Sequence, residues 1–513
     1  MTVILVSRHP LSVPMALVLR VHHCQRSSKT RKFDAAGIRI TPLARYEEGR
    51  ATFSTDPVYE RLRQLRAERG WSQPRLVREL RRAATKRGHQ LPSDESVKRR
   101  IASWENGHST PDGFYGALLG DVYGVSVQEI GLASGCTEDS ALLDVGYPDS
   151  PDAAISTVER LWSADLNRYE PLIQSEAAEP AWHEASLRWL VAPEPAPRSG
   201  RPGALHVGLG DVAAVKTTVD MFAQLDDRFG GDHARRSVIQ YLSNDVVPLL
   251  RGSYSNAVGR ALYSTVAEAT LLAGWMSYDA CHHGLAQRYF LQALRLAQDA
   301  NDRRLAGSIL SAMSHQATFL GRYTEAATLA RAALMGIAQV ATPTLRAQFH
   351  AMEARALART GDVRACEAAL AAAMRALAGR NKEEEPEWIT YFDEAELAAE
   401  AAHCFRDVNS ARRAVAHAEN AMSGSHVRSD FFATMVLADA HLRAGDIEEA
   451  CRVALDALDL GEHLKSARCV SYLAEFRSNL FAAGDNAASR AFAEQAREHR
   501  LWVATEAGRP TIR

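Results

Sequence analysis

The chain has 513 residues, is rich in Ala, Leu, Arg and Glu, and carries 7 scattered cysteines and a net charge of −2. That length exceeds what one core organises, so at least two domains are expected, and the composition favours an all-helical protein. An odd cysteine count without CxxC spacing argues against a disulfide framework and for reduced, cytoplasmic thiols, and no apolar run reaches the roughly 20 residues that span a bilayer.

The average charge conceals an asymmetry. Residues 57–110 carry 13 Lys/Arg against 6 Asp/Glu, and residues 1–56 carry 9 against 4, so the remainder sums to −14. A basic head on an acidic body points to nucleic acid at one end only. Residues 1–56 are a patchwork of short apolar pieces, basic residues and turn formers such as Pro10, Pro14 and Pro42. The run 11–21 loosely resembles a signal-peptide core, but Pro14 and Arg20 interrupt it and no small-residue cleavage site follows. The expectation is a disordered extension, or one mis-annotated from upstream of the true start.

The head, 57–132, reads as a small helical bundle. Asp56-Pro57 and Ser72-Gln73-Pro74 each place a capping residue ahead of a first-turn proline. Val58, Leu62 and Leu65 give the first helix its apolar stripe, and Leu76, Val77 and Leu80 the second. In the third helix Val97, Ile101 and Trp104 recur at i, i+4, i+7, and Asn106-Gly107 stops it. Its opposite face collects small and basic residues. Pro111 starts a fourth helix, with Phe114, Leu118, Leu119 and Val122 as the lid of a small core, and a last short helix is expected near 127–132.

Leu65-Arg66-x3-Gly70-Trp71-Ser72-Gln73-x2-Leu76, followed by Ile101-x2-Trp104-Glu105-Asn106-Gly107-x3-Pro111, resembles the XRE-type (lambda-repressor-like) helix-turn-helix domain. The resemblance implies binding to double-stranded DNA. It gives Gln73, at the start of the second helix, a phosphate to grip. Lys98, Arg99 and Ser103 fall where such proteins read bases, with Arg99 suited to bidentate contact with guanine and Ala102 small enough for close approach. Arg75, Arg78 and Arg100 are assigned to phosphates. Arg66 and Glu105 match a family pair that joins the first and third helices, a structural rather than DNA-reading role. One departure stands out: the spacing from Gln73 to Ile101 is longer than in the compact motif, so the second helix should extend before a longer loop. A basic four-helix bundle without a ligand is the plain alternative.

Residues 133–207 mix Pro, Gly, Ser and acids around two short helical patches, 155–169 and 180–190, and 192–203 has the composition of an extended linker. From 208 to 513 a helical repeat domain is expected. Its trace is a turn between paired helices: Cys281, then Gly321-Arg-Tyr-Thr-Glu-Ala326, Gly361-Asp-Val-Arg-Ala-Cys366, Arg406-Asp-Val-Asn-Ser-Ala411, Gly445-Asp-Ile-Glu-Glu-Ala450 and Gly484-Asp-Asn-Ala-Ala-Ser489, at offsets of 40, 40, 45, 39 and 39. This resembles tetratricopeptide (TPR) repeats, with a longer period and few of their aromatic positions. Such a TPR-like solenoid offers a groove for a protein, peptide or small-molecule effector; 208–250 and 477–502 are expected to cap it.

Nothing catalytic stands out: there is no GxxxxGK[ST], HExxH or nucleophile elbow, and no cofactor or metal is expected. His282-His283 occupy adjacent helix positions about 100° apart without a third ligand, and the turn Asp226-Asp227…Gly230-Gly231-Asp232-His233 and the acid run 383–387 read as structural and solvated respectively. The layout is similar to streptomycete-type regulators that join an XRE-type head to a TPR-like body. That family implies a cytoplasmic, homodimeric, sequence-specific transcriptional regulator with no membrane association. The alternative is a TPR-type interaction adaptor that reads no DNA sequence.

Overall fold

The computed structural model describes residues 58–87, 91–107, 111, 113–125, 129–130, 146–195, 205–422, 424 and 426–506. The expected extension before 57, most of the helix near 127–132 and most of the 192–203 linker lie outside the described residues. Within them the protein is all-α, and the one β feature is an isolated bridge between His206 and Ser253. No helix among the described residues is long and apolar enough to cross a membrane.

Among the described residues four helices build the head: α1 (Val58–Glu68), α2 (Gln73–Lys86), α3 (Asp94–Glu105) and α4 (Gly113–Tyr123). Gly70, at φ 61°, ends α1, and the amide of Trp71 reaches back to the carbonyl of Arg66 (3.1 Å) to close the turn. The long spacing after Gln73 is absorbed by a 14-residue α2 and the connection that follows it. Leu62, Leu65, Leu76, Val77 and Leu80 meet Val97, Ile101 and Trp104 in one core, closed by Tyr115, Leu118, Leu119 and Tyr123 of α4. Each such side chain contributes roughly 1.5–3 kcal/mol on burial, enough to fix the rotation of α3 about its axis.

The body begins earlier than its sequence suggests. Helices α5 (Pro151–Leu166) and α7 (Glu179–Val191) cover the two patches expected in a linker, with the short α6 (Glu170–Ile173) between them; instead α5 and α7 pack into the same core as residues 207–397. Trp162, Trp182 and Trp189 are fully buried, and the ring of Trp189 lies where a Cβ on Gly336 would stand, only 2.1 Å away. Asp165 pairs with Arg235 (2.5 Å) and accepts from the Tyr289 hydroxyl (2.7 Å). The Gln287 side-chain amide bonds both the N–H and the C=O of Ala178, each at 2.8 Å. Apolar area and buried polar pairing, not chain order, decide membership of a core.

Helices α8 (Leu209–Phe229), α9 (Gly231–Tyr241) and α10 (Val247–Leu250) follow. Antiparallel pairs come next: α11 (Asn256–Asp279) with α12 (His283–Asp299), α13 (Arg303–Phe319) with α14 (Tyr323–Gly336), α15 (Pro343–Thr360) with α16 (Val363–Ala378), α17 (Glu394–Asp407) with α18 (Ala411–Glu419), and α19 (Val427–Ala444) with α20 (Ile447–Gly461). Then come α21 (Ala467–Ala482), α22 (Ala487–Ala496) and α23 (Arg500–Ala504). Each first helix also touches the next first helix, so α11, α13, α15, α17, α19 and α21 form a continuous row, a solenoid-like arrangement.

The turns between paired helices share one geometry. Cys281, Gly321, Gly361 and Gly445 adopt positive φ, and the N–H one residue on bonds the carbonyl five residues before it: His282 to Ser277, Arg322 to Ala317, Asp362 to Leu357 and Asp446 to His441. The fourth turn departs from the expected register. Its positive-φ residue is Asn409, not Arg406, with Ser410 bonding Phe405, and the buried small residue five positions on is Ala414, not Ala411. Arg406 is instead a buried residue of the last turn of α17, paired with Asp407 (2.8 Å). The offsets between these turns become 40, 40, 48 and 36.

Candidate nucleic-acid interface

On α3, Val97, Ile101 and Trp104 face inward, with exposures of 0%, 1% and 5%. Lys98, Arg99 and Arg100 are exposed, and Ala102 and Ser103 half-buried. Since 100° separates successive residues, this leaves a stripe of Lys98, Arg99, Ala102 and Ser103 turned away from the core. Among the described residues neither Lys98 nor Arg99 has a carboxylate within ion-pair distance. Arg100 stands apart from the stripe: its guanidinium lies 5.2 Å from the Tyr115 ring centre, on the α4 side. Arg75 rests 5.4 Å from the Trp71 ring, and Arg78 is exposed on the outer face of α2.

Behind that stripe sits a three-donor clamp. Arg66 binds Glu105 through Nε (2.5 Å) and Nη2 (2.9 Å) while its Nη1 donates to the Trp71 carbonyl (2.8 Å). Glu105 is 4% exposed, and its carboxylate raises the Arg66 pKa still further through their hydrogen bond. The Gln73 side chain differs from its expected role. Its Nε2 donates to Glu105 Oε2 (2.9 Å), so the amide points at the clamp rather than outward at a phosphate. Gln73, Arg66 and Glu105 thus tie the starts of α2 and the ends of α1 and α3 into one rigid unit.

Arg81 was not singled out from the sequence. Its guanidinium pairs with Asp94 (2.7 Å) and donates to the carbonyls of Pro92 (2.5 Å) and Leu91 (3.4 Å), stapling the connection between α2 and α3. Thirteen residues separate the partners across a loop, so no helical periodicity links them. Arg87 pairs with Asp121 (2.7 Å) to hold α4. The longer loop is therefore anchored at both ends.

In the body, the row of first helices lines an interior rich in charge. Arg355 pairs with Glu400 (2.6 Å), and Arg428 with Asp226 (2.8 Å). His315 on α13 and His403 on α17 have pKa values held well below the usual range, by burial first and then by nearby arginines. The turn after α8 is buttressed rather than open: Asp227 contacts His426 (3.1 Å), and a Cβ on Gly230 would come within 2.6 Å of the Lys465 carbonyl oxygen. His283 packs against the rings of Tyr278 and Phe319, burial lowering its pKa to about 4. No group of three or more His, Cys, Asp or Glu among the described residues could hold a metal.

A scan against protein-family models gives no match, and a search of curated proteins gives none either.

Proposed function

We propose that the chain is a sequence-specific DNA-binding transcriptional regulator of the XRE type whose TPR-like body binds an effector. The observation that carries this reading is the outward stripe of α3, where Lys98 and Arg99, which have no carboxylate partner among the described residues, stand beside small Ala102 and Ser103. A helix fixed by three buried anchors can present such a stripe to the major groove, where Arg99 matches the O6/N7 edge of guanine. Lys98 extends the same stripe, and Ser103 supplies a short polar contact. Arg75, Arg78 and Arg100 are assigned to phosphates and set affinity rather than sequence. Gln73 acts here by bracing Glu105.

A single small head reads few base pairs, so the proposal includes a homodimer on two half-sites about one helical turn apart. Sedimentation of the protein with and without DNA measures this; monomer under both conditions would remove the dimer from the account. DNA binding itself is tested by titrating wild type and Arg99→Ala at two salt concentrations. The proposal expects affinity to fall as salt rises and the variant to lose sequence preference more than total affinity. An interaction adaptor would show neither effect.

A further inference from the structure

Arg468, on α21, reaches across to the first helix of the row. Its guanidinium carbon lies 4.5 Å from the ring centre of Tyr278 on α11 and 4.5 Å from that of Phe432 on α19, with Phe319 of α13 at 5.8 Å. Only 7% of the residue is exposed. Buried guanidinium groups are ordinarily matched by a carboxylate, and the others in this interior are: Arg355 by Glu400, Arg406 by Asp407, Arg428 by Asp226. Arg468 is not. Its nearest carboxylate oxygen belongs to Asp279, at 3.9 Å, and that group already accepts from the Gly231 N–H (2.9 Å) and the Ser466 hydroxyl (2.9 Å) while facing Arg428 at 3.9 Å. The buried Nε of Arg468 has no hydrogen-bond partner among the described residues.

Around this cation stand side chains with apolar faces and incomplete burial: Trp275, His315, Phe319, Phe432 and Tyr472 are all half-buried. They touch in sequence, Trp275 against His315 (5.5 Å between ring centres) and Phe432 against Tyr472 (4.8 Å), with His403 beside Tyr472 at 5.9 Å. The combination is one loosely paired positive charge behind flat apolar walls. We propose that this interior binds a small organic acid, its carboxylate on Arg468 and its flat apolar body against these rings. A carboxylate closer than Asp279 would complete the loosely held guanidinium, whose planar shape favours two-point contact. The site deepens the effector half of the function proposed above and does not depend on the DNA-binding half.

The test is a melting-temperature titration of the full chain with benzoate and 2-naphthoate, against the neutral amides benzamide and 2-naphthamide. Ligand that binds only the folded state raises the melting temperature in a concentration-dependent way. The expected result is a saturable rise of several degrees with at least one acid and none with its amide. Arg468→Gln is expected to weaken the acid at least tenfold, and Arg468→Lys to restore part of it. Absence of a rise with either acid, or an equal rise with acid and amide, overturns the site in wild type, whether or not Arg468→Gln folds. DNA affinity measured with and without the acid then separates the readings: an acid that binds without changing DNA affinity upholds the site and refutes only its coupling to DNA.

Discussion

At Glu105 three N–H groups from two residues converge on one carboxylate, and the carboxylate is buried. Removing one partner of such a pair leaves the other without compensation, so Glu105→Ala is expected to destabilise the head by about 3 kcal/mol. Chemical unfolding followed by tryptophan fluorescence reads this, since Trp71 and Trp104 lie beside the clamp; an unchanged head transition would mean that the pair carries no stability. The body supplies a second residue-level expectation. Burial, with Glu400 and Asp393 nearby, pushes the Glu396 carboxyl up to about 8, and burial pushes Glu268 to about 7. A raised carboxyl pKa contributes stability below its unfolded value that is lost as pH rises through the folded one, and the depressed His283 does the reverse, losing stability as pH falls through about 4. Glu396→Gln is therefore expected to leave melting unchanged near pH 5 and to raise it above wild type near pH 9. A constant offset at both pH values would argue that Glu396 is charged throughout.

Among the elements, the turns between paired helices were the most legible part of the body, because a left-handed residue at the helix end selects glycine or asparagine. Gly361, at φ 81°, leads into Val363 as Gly445, at φ 87°, leads into Ile447. The fourth turn misled for a physical reason: Arg406-Asp407-Val408 imitates Gly361-Asp362-Val363 in sequence, yet Asn409 takes the left-handed position. Asn409→Val is expected to cost about 1–2 kcal/mol and Asn409→Gly nothing, measured by urea unfolding; equal stability of the two variants would place the strain elsewhere. Helices α5 and α7 were illegible as core because their partners lie far along the chain, Asp165 meeting Tyr289 and Ala178 meeting Gln287. No local pattern signals such pairing, although the three tryptophans at 162, 182 and 189 were a compositional hint. In the head, the inward stripe and the Arg66–Glu105 contact could be read from spacing and resemblance, whereas the Arg81 staple and the inward turn of Gln73 required coordinates.

For the whole molecule, the row of first helices returns on itself: α21 meets α11 through Arg468 and Tyr278, and α8 meets α19 through Asp226 and Arg428. The Lys465 N–H donates to the carbonyl of Phe229 (2.6 Å), next to Gly230 at φ 86°. Gly230→Ala would drive a methyl into the Lys465 backbone and is expected to unlatch this contact, exposing residues 464–468 to faster hydrogen exchange; unaltered exchange there would show the latch to be dispensable. The body thus closes on itself through these contacts, while the head keeps its basic stripe on a small core of its own. The proposed function stands or falls on whether α3 reads DNA sequence. Its most direct test selects the preferred site from random duplexes with the full chain, then compares affinity for that site and a scrambled one in wild type and Arg99→Ala. A strong preference is expected in wild type, reduced by about 1–3 kcal/mol in the variant, with Arg78→Ala weakening both duplexes alike. Equal affinity of wild type for the selected and scrambled duplexes would contradict it.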